Sequence, residues 1–374
     1  MSYSRLFTHR AMVFDARRND FYARAIRACV QPDSVVLDLG AGLGLHGLIA
    51  AAAGARRVYL VEPEPVLQIA LDIARTNGLS DRIIALEGRI EEVALPEPVD
   101  LITSVLTGNL LFSEDLLPSL LLARDRYLKP GGHLIPDFAH LVLCPVAAPE
   151  LHARYVGAWN EPHFGIDFSA VRSYAANEIL WLTPADVPSM RLASPAILST
   201  IDFARADRCD CRGEALVDVA ATGHCHGLLA WLEIRAGDET LSADPALPAM
   251  HWSPAFLPLD PPLPLVAGER LRIALERPVQ GDWTWSLSAQ GGQRRHSTFL
   301  AAGDSMIRML RLAPDHRPGL SRRGANALQA LSLMDSGHSN TEIAQILADS
   351  NPGFFASVDE ALELARAMAL RHGR

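Results

Sequence analysis

Residues 35–47 have the sequence VVLDLGAGLGLHG, an apolar run followed by glycines at alternate positions. The run is typical of a buried β-strand, and Gly40, Gly42 and Gly44 fall where such a strand turns into a helix. Glycines there let a ligand lie against the backbone, because no side chain intervenes. Glu62 ends the next apolar run, about twenty residues on, where an acidic residue accepts hydrogen bonds from ribose hydroxyls. The stretch therefore predicts a nucleotide-type cofactor site at the first strand of a parallel sheet.

Short apolar runs alternate with helical segments through residues 35–137. This alternation is typical of a parallel sheet with crossover helices, so we predict a Rossmann-like α/β domain there, preceded by N-terminal helices at 1–34. The run HLIPDFAHLVLCPV is predicted to be its last strand, entered through the turn KPGG.

From 138 to 303 the pattern changes to short alternating runs interrupted by proline and glycine, which predicts an antiparallel β-barrel or sandwich. A segment at about 155–182 has a more helical period and is predicted to project from the barrel. Residues 304–374 are predicted to form a helical module of three short helices. Two of these helices begin at capping boxes in the stretches SNTE and SVDE.

Composition limits the function further. The formal net charge of -9 and the pI near 5.8 argue against a nucleic-acid partner, which favours clustered positive charge. No apolar run is long enough to span a bilayer and the N-terminus lacks a signal-peptide core, so a cytoplasmic protein without a membrane partner is expected. The odd number of cysteines favours reduced thiols. Lys129 is the only lysine, a bias that indicates a GC-rich bacterial genome.

The form of the glycine motif favours S-adenosyl-L-methionine over NAD as the cofactor. Asp38 lies in the strand just ahead of the glycines, and LKPGG introduces a late strand. Both features are typical of class I methyltransferases, and no dehydrogenase catalytic set accompanies them. We therefore include Asp38 in the predicted cofactor site. A purely structural tight turn is the alternative.

Several further motifs occur in a fixed order. They are HRAMVFDARRNDFYARAI ahead of the glycine loop, GRIEEVALPEPVDLI and LLLARDRYLKPGGHLIPD after it, and the pair His251-Trp252. In these motifs and their spacing the chain resembles the protein arginine methyltransferases over about residues 3 to 300. The resemblance implies a Rossmann-like cofactor domain, a β-barrel domain and methyl transfer from S-adenosyl-L-methionine.

The resemblance also implies roles in cofactor binding. Arg18 would bind the cofactor carboxylate, because a guanidinium can form two parallel hydrogen bonds with a carboxylate. His9 and Met12 would line the methionine arm, and Glu91 would hold the adenine amino group.

Two more implications concern contacts across the chain. Asp15 and His251 would meet as a hydrogen-bonded pair between the two domains, hold the N-terminal helix over the cofactor and receive a proton late in the reaction. The segment at 155–182 corresponds to the dimerisation arm of the family, so a head-to-tail homodimer is expected.

The acceptor loop departs from the family. In SVLTGNLLFSEDLL, residues 104–117, the second of two expected glutamates is present as Glu114, but Val105 occupies the position of the first. A desolvated guanidinium that lacks one charged partner is penalised by about 3–5 kcal/mol. Asp115 or an acid from the barrel could replace the missing glutamate. Alternatively, Asn109 and backbone carbonyls could bind a less charged nitrogen, or the acceptor could be a hydroxyl or carboxylate of a small molecule.

The substrate-facing N-terminus departs from the family as well, since only Tyr3 falls on one of its two aromatic positions. Trp252 is expected to border the acceptor pocket from the barrel side. The acceptor site is thus altered on two sides, whereas the cofactor positions are intact. The activity predicted is N-methylation of a guanidino, arginine-type or related nitrogen in a peptide or small molecule. The alternatives are a natural-product methyltransferase with a non-guanidine acceptor and a catalytically silent scaffold.

Two other sequence patterns have alternative interpretations. A zinc site at residues Cys209, Cys211, His224, Cys225 and His226 is disfavoured, because CDC on a strand leaves little room for tetrahedral closure and no metal is predicted. The C-terminal stretch containing SNTEIAQIL resembles a helix-turn-helix and the helical part of PqqD-like peptide-binding modules. Its arginines and acids nearly balance, which argues against DNA. It could dock a peptide or protein partner, or serve as a stabilising helical cap.

Overall fold

The computed structural model describes residues 6–105, 110–188 and 190–373. By its internal contacts the chain divides into two compact units, Met1–Ser305 and Met306–Arg374. In the described ranges, no helix is both long and apolar enough to cross a bilayer. The five cysteines are free thiols.

The first unit begins with a five-stranded sheet. Its strands are β1 (Val35–Leu39), β2 (Arg57–Glu62), β3 (Ile83–Glu87), β4 (Val99–Ser104) and β5 (Leu128–Ile135). They lie in the order β3-β2-β1-β4-β5, and all neighbours are parallel. The strand order reverses between β1 and β4, and ligands bind at such a reversal, outside the carboxyl ends of the strands. The prediction of a Rossmann-like domain is confirmed.

Five helices accompany this sheet: α1 (Leu6–Val13), α2 (Ala16–Cys29), α3 (Leu45–Ala52), α4 (Leu67–Thr76) and α5 (Leu117–Tyr127). All five residues of β1 are buried. Helix α3 packs closely on β2 at Gly47, where a Cβ atom would lie 2.3 Å from Cδ2 of Leu60. The sequence GLHG therefore fixes how near α3 approaches the sheet.

The predicted last strand, HLIPDFAHLVLCPV, is wrong as a single element. It forms the end of β5 and a separate strand β6 (Phe138–Ala147), which belongs to an antiparallel sheet. Pro136 lies between them and cannot donate a ladder hydrogen bond, and Asp137 donates its N–H to Arg235 of the second sheet at 2.8 Å. The motif KPGG, predicted as a turn, lies within β5. A continuous apolar run has no periodicity that would mark such a change of sheet.

The rest of the first unit is an antiparallel, barrel-like domain, as predicted. Its strands after β6 are β7 (Leu180–Trp181), β8 (Met190–Arg191), β9 (Ala196–Asp202), β10 (Cys211–Asp218), β11 (Gly223–Ala236), β12 (Glu239–Ser242), β13 (Ala255–Leu265), β14 (Arg270–Arg277), β15 (Thr284–Ala289) and β16 (Gly292–Ser297). One sheet has the order β7-β13-β11-β6-β8, with β12 on β11 and β9 on β6; the other has the order β10-β14-β15-β16. Trp231 and Trp285 are fully buried between them.

Short helical turns connect β6 to β7. They are α6 (Pro149–Tyr155), α7 (Arg172–Ala175) and the 3-10 turns Gly157–Asn160 and Ser169–Val171. Arg172 ties this segment to the barrel through two hydrogen bonds to the Asp260 carboxylate, at 2.7 and 2.6 Å. At its tip Phe164 is fully exposed and has a positive φ of 52°. The segment thus presents apolar side chains to solvent.

The second unit is helical, with α8 (Ser305–Leu312) at its boundary, then α9 (Arg322–Asp335), α10 (Asn340–Ser350) and α11 (Val358–His372). Sequence analysis predicted only the last three. The capping box of Ser339 and Glu342 forms reciprocally. At the start of α11 the Glu360 carboxylate instead accepts from the Ala356 N–H, at 2.6 Å. Ala330, Ile343 and Leu347 belong to a small separate core.

Candidate active site

The candidate site lies where β1 and β4 end side by side. Leu39 and Ser104, the last residues of these strands, are register partners. The glycine loop leaves β1 at this point and the acceptor loop leaves β4. The strand order therefore places the predicted cofactor loop beside the predicted acceptor loop.

The glycine loop has a backbone that other residues adopt with difficulty. Gly40, Gly42 and Gly44 have φ of 71°, 54° and 76°, all in the left-handed region. A Cβ atom on Gly42 would lie 3.0 Å from Cε1 of His9. Helix α1, which holds the buried His9, thus packs directly over the loop. Both the turn and the close approach require glycine at position 42.

Glu62, at the end of β2, supports this loop. One oxygen of its buried carboxylate accepts from the Gly42 N–H at 2.8 Å and the other from the Glu64 N–H at 3.0 Å. Each carboxylate oxygen has two lone pairs, so both can accept a further hydrogen bond. The group therefore retains capacity for hydroxyl donors of a ligand.

Asp38 supports the loop from within the fold. It is 2% exposed, and its carboxylate accepts from the Gly47 N–H of α3 at 2.7 Å. Burial raises the pKa of Asp38 to about 7, which the hydrogen bond from Gly47 partly opposes. The Asp38 carboxylate contacts the start of α3. Asp38 therefore positions the glycine loop that precedes this helix.

Arg18 is a buried cation. It is 3% exposed, donates to the Met12 carbonyl at 2.6 Å and donates to the Asn19 side chain at 3.0 and 3.2 Å. Among the described residues no carboxylate lies within the 4.0 Å of an ion pair. Burial lowers the pKa of Arg18. A buried charge without a counter-charge is costly, so this guanidinium is suited to an anionic ligand group.

Glu91 follows β3, at the other side of the predicted crevice. It is exposed, and the Ser119 hydroxyl donates to its carboxylate at 2.6 Å. The side chain is therefore held at the surface of the parallel-sheet domain, next to the strand ends.

Asp15 and His251 meet, but not through the imidazole ring. One oxygen of Asp15 caps α2 by accepting from the Arg18 N–H at 3.1 Å, and the other accepts from the main-chain N–H of His251 at 2.6 Å. Burial lowers the pKa of His251, helped by Arg18 and opposed by Asp15, so the ring is neutral near pH 7. Next to it, Trp252 is 4% exposed and lines a small cavity of ≈ 70 Å³ beside Arg17.

In the acceptor loop, Val105 is half-buried against the core and Glu114 is exposed in a turn. Asp115 forms a bidentate ion pair with Arg277 of the barrel, at 2.7 and 2.6 Å, and also accepts from the Gln280 N–H at 2.8 Å. Its carboxylate is thus committed to the protein. This pairing makes Asp115 less available as a replacement for the missing glutamate, and the alternative stays a prediction. The predicted substrate residues Tyr3 and Asn109 lie outside the described residues.

Sequence analysis missed three residues near this site. Arg277 is one, because an arginine at the end of an alternating strand has the pattern of a surface residue. Tyr22 and His46 are the others: the Tyr22 hydroxyl donates to the Ser104 carbonyl at 3.0 Å, and the His46 ring stacks on Tyr22 at 4.5 Å. Burial lowers the pKa of His46 to about 3. The two stacked rings thus lie next to the end of β4, which Tyr22 contacts directly.

In the described ranges, no three His, Cys, Asp or Glu side chains are grouped as metal ligands. The His226 ring accepts from the Ala148 N–H at 3.3 Å, and the Cys225 thiol donates to the Gly227 carbonyl at 3.3 Å. The cysteine and histidine side chains near β10 and β11 thus pack as part of the barrel.

Comparison with known proteins agrees with this geometry. Residues 137–284 match the arginine methyltransferase oligomerization subdomain. The chain is 31% identical over 303 residues to protein arginine N-methyltransferase 6 of Xenopus laevis, covering 76% of this chain and 85% of the relative. It is also 31% identical over 294 residues to protein arginine N-methyltransferase 1 of Schizosaccharomyces pombe, covering 75% and 85%.

A solved structure is similar over the same extent. The chain superposes on the Trypanosoma brucei PRMT1 enzyme–prozyme heterotetrameric complex with AdoHcy with a TM-score of 0.73 and 29% sequence identity. The match covers 79% of this chain and 99% of that chain. Sequence and fold therefore indicate the same relatives.

Proposed function

Because this chain belongs to the protein arginine N-methyltransferase family, we propose that it methylates a guanidino or related nitrogen of a peptide or small molecule. The observation that carries the proposal is the pairing of Leu39 with Ser104. The two strand ends lie side by side, and the glycine loop follows one of them while the loop that contains Glu114 follows the other. A methyl donor in the first loop would then face an acceptor in the second.

The residues present fit S-adenosyl-L-methionine as the donor. Arg18 would bind its carboxylate and Glu62 its ribose hydroxyls, while Gly42, which has no side chain, would let the ligand lie against the backbone. Met12 would line the methionine arm and Glu91 would hold the adenine. When bound, the donor supplies an activated methyl group on a sulfonium.

Protein groups contribute chiefly by alignment and by excluding water, since methyl transfer is an in-line displacement. Glu114 would bind and orient the acceptor nitrogen. Asp15 accepts a hydrogen bond from the His251 main chain, and this contact would hold the N-terminal helices over the site. By the family resemblance the ring of His251 would receive the proton that the acceptor nitrogen releases, although burial lowers its pKa and so opposes its protonation.

A less charged acceptor is the second candidate, favoured by Val105 and by the commitment of Asp115 to Arg277. The described part of the acceptor loop has two carboxylates, those of Glu114 and Asp115, and the second is paired with Arg277 of the barrel. One carboxylate suffices for an amine that is largely neutral when bound. A natural-product nitrogen or oxygen acceptor would therefore also suit this site.

We further propose that the protein acts as a homodimer. The match to the oligomerization subdomain and the exposed apolar tip of the segment between β6 and β7 support this. Exposed Phe164 and Ile166 would be covered by a second copy of the chain. Measurement of the molar mass in solution, with Phe164→Ser as the variant, tests this proposal.

For the C-terminal unit we propose docking of a peptide or partner protein. Its separate core supports independent folding, and Leu328 and Leu370 are exposed. A stabilising helical cap is the alternative.

Radiolabelled donor offered to free arginine, to arginine peptides and to amine or hydroxyl metabolites tests the acceptor. The proposal is supported if the wild type transfers label to arginine and the variant Glu114→Gln does not. Label on a non-guanidine acceptor alone supports the second candidate. Calorimetry with S-adenosylhomocysteine comes first, because absence of binding would favour a catalytically silent scaffold.

A further inference from the structure

A shallow cleft of ≈ 370 Å³ opens beside the acceptor loop. Its lining includes Ser113 of that loop, Trp181 of β7, and Arg277 and Trp283 of the barrel. Ser113 is the chain neighbour of Glu114, and Trp181 is the register partner of Ala255, just after the His251-Trp252 loop. The cleft therefore borders the proposed acceptor site on the barrel side.

The cleft has aromatic surfaces. Trp181 is 43% exposed, although tryptophan has a large apolar ring. Trp283 is 5% exposed and is held edge-on against Phe112 at 6.3 Å and by the Arg277 guanidinium at 5.8 Å. One ring is thus rigidly packed while the other presents its surface to solvent.

The charge in the cleft is negative. The guanidinium of Arg277 is neutralised by its bidentate pair with Asp115. Glu178, also in the lining, is exposed, and its carboxylate has no hydrogen bond or ion pair within the described residues. An aromatic ring next to an unpaired carboxylate favours a cation, since the ring face attracts positive charge.

The cleft also contains an unsatisfied polar atom. The Ser113 hydroxyl oxygen is buried and has no hydrogen-bond partner in the part of the chain that the structure describes. Because this oxygen is shielded from solvent, a ligand in the cleft would reach it only after a local shift of the acceptor loop.

We propose that this cleft is a subsite for a second basic side chain of the acceptor, next to the residue that is methylated. The inference rests on the proposed function and narrows its substrate class to peptides or proteins with neighbouring basic residues. The arginine or lysine would lie on the Trp181 ring and pair with the Glu178 carboxylate. The methylated residue would bind at Glu114, which directly follows Ser113 of the cleft lining in the chain.

Pairs of peptides test the subsite. Both peptides of a pair contain the arginine to be methylated. One peptide has a second arginine one to four residues away, and the other peptide has glutamine at that position. With wild-type protein, at one or more offsets, we expect a KM lower by roughly threefold to tenfold for the peptide with two arginines. Glu178→Gln and Trp181→Leu should reduce this ratio to about one, whereas Trp181→Phe should retain part of it.

Glu214→Gln, an exposed barrel carboxylate paired with Arg272 outside the cleft, is the matched control and should keep the full preference. Two results would overturn the subsite and leave arginine methylation intact. One is equal KM values for both peptides of a pair at every offset in the wild type. The other is a preference for the peptide with two arginines that survives Glu178→Gln and Trp181→Leu. If neither peptide is labelled, the proposed acceptor is wrong. The subsite is then decided by the Kd values of the same peptides for protein loaded with S-adenosylhomocysteine.

Discussion

Asp115 and Arg277 form a bidentate ion pair that joins the acceptor loop to the barrel across 162 positions of the sequence. The side chain of Arg277 is 7% exposed and that of Asp115 is 24% exposed. Asp115 also has a positive φ of 53°, so the loop turns sharply at this residue. The pair lowers the pKa of Asp115 and fixes the backbone next to Glu114.

Breaking this pair should destabilise the fold. Asp115→Ala leaves the buried Arg277 charge uncompensated and should lower the free energy of unfolding by about 2–4 kcal/mol, less than for a fully buried pair because Asp115 is partly exposed. The double variant with Arg277→Met should lose less than the two single variants combined. Urea unfolding of the four proteins measures the coupling. Strictly additive losses would show that the pair does not stabilise the loop.

Substitution of Gly42 should weaken or abolish cofactor binding, depending on the size of the new side chain. Gly42→Ala strains a residue with φ of 54° and places a Cβ atom 3.0 Å from the His9 ring, and Gly42→Arg fills the crevice entirely. Calorimetry should show S-adenosylhomocysteine binding weakened by about tenfold or more for alanine and lost for arginine. Gly78→Ala is the control: its φ is 68° but its Cβ would meet nothing within 4 Å, so binding should be unchanged. Equal effects at both glycines would contradict this account.

Arg18→Met should separate ligand binding from stability. The apo protein should be as stable as the wild type or more so, because Arg18 is buried without a carboxylate partner among the described residues. Affinity for S-adenosylhomocysteine should fall by about tenfold to a hundredfold. Methylthioadenosine lacks the carboxylate and should bind both proteins equally. A parallel loss for both ligands would assign Arg18 a purely structural role.

Val105→Glu should restore a second carboxylate to the acceptor loop. If the acceptor is a guanidinium, its KM should fall by about tenfold, because a second charged hydrogen bond holds it. Val105→Gln is the neutral control of the same size. A KM that does not change in either variant would place the acceptor elsewhere, whereas lower activity in Val105→Glu alone would favour an uncharged acceptor.

Asp38 should make stability depend on pH. Its pKa is about 7 in the folded protein and about 4 when unfolded, so the unfolded chain releases its proton first as the pH rises. The wild type should therefore lose stability relative to Asp38→Asn between pH 4 and 7, by about 2–4 kcal/mol in total. Urea unfolding at pH 5 and pH 8 measures the difference, with the exposed Asp72→Asn as control. Parallel pH profiles of wild type and Asp38→Asn would refute the assignment.

Local sequence determined the α/β half of this protein well. The apolar run before Gly40 and the φ values that the loop glycines adopt are both properties of a few adjacent residues, and so are the two helix starts at Ser339 and Ser357. The division of the run HLIPDFAHLVLCPV into two strands at Pro136 was not predictable in this way. An apolar run is equally compatible with one strand or with two strands in different sheets, because both bury it.

Contacts between distant residues were decided by tertiary structure alone. Asp15 reaches the main chain of His251 across 236 positions, and Asp115 is taken by Arg277 where sequence analysis left it free to bind substrate. The types of residues indicated a methyltransferase, but they did not show which carboxylates remain available to bind a substrate. That depends on where the barrel places its own cations, and the strength of an ion pair depends on distance and burial, which no local pattern specifies.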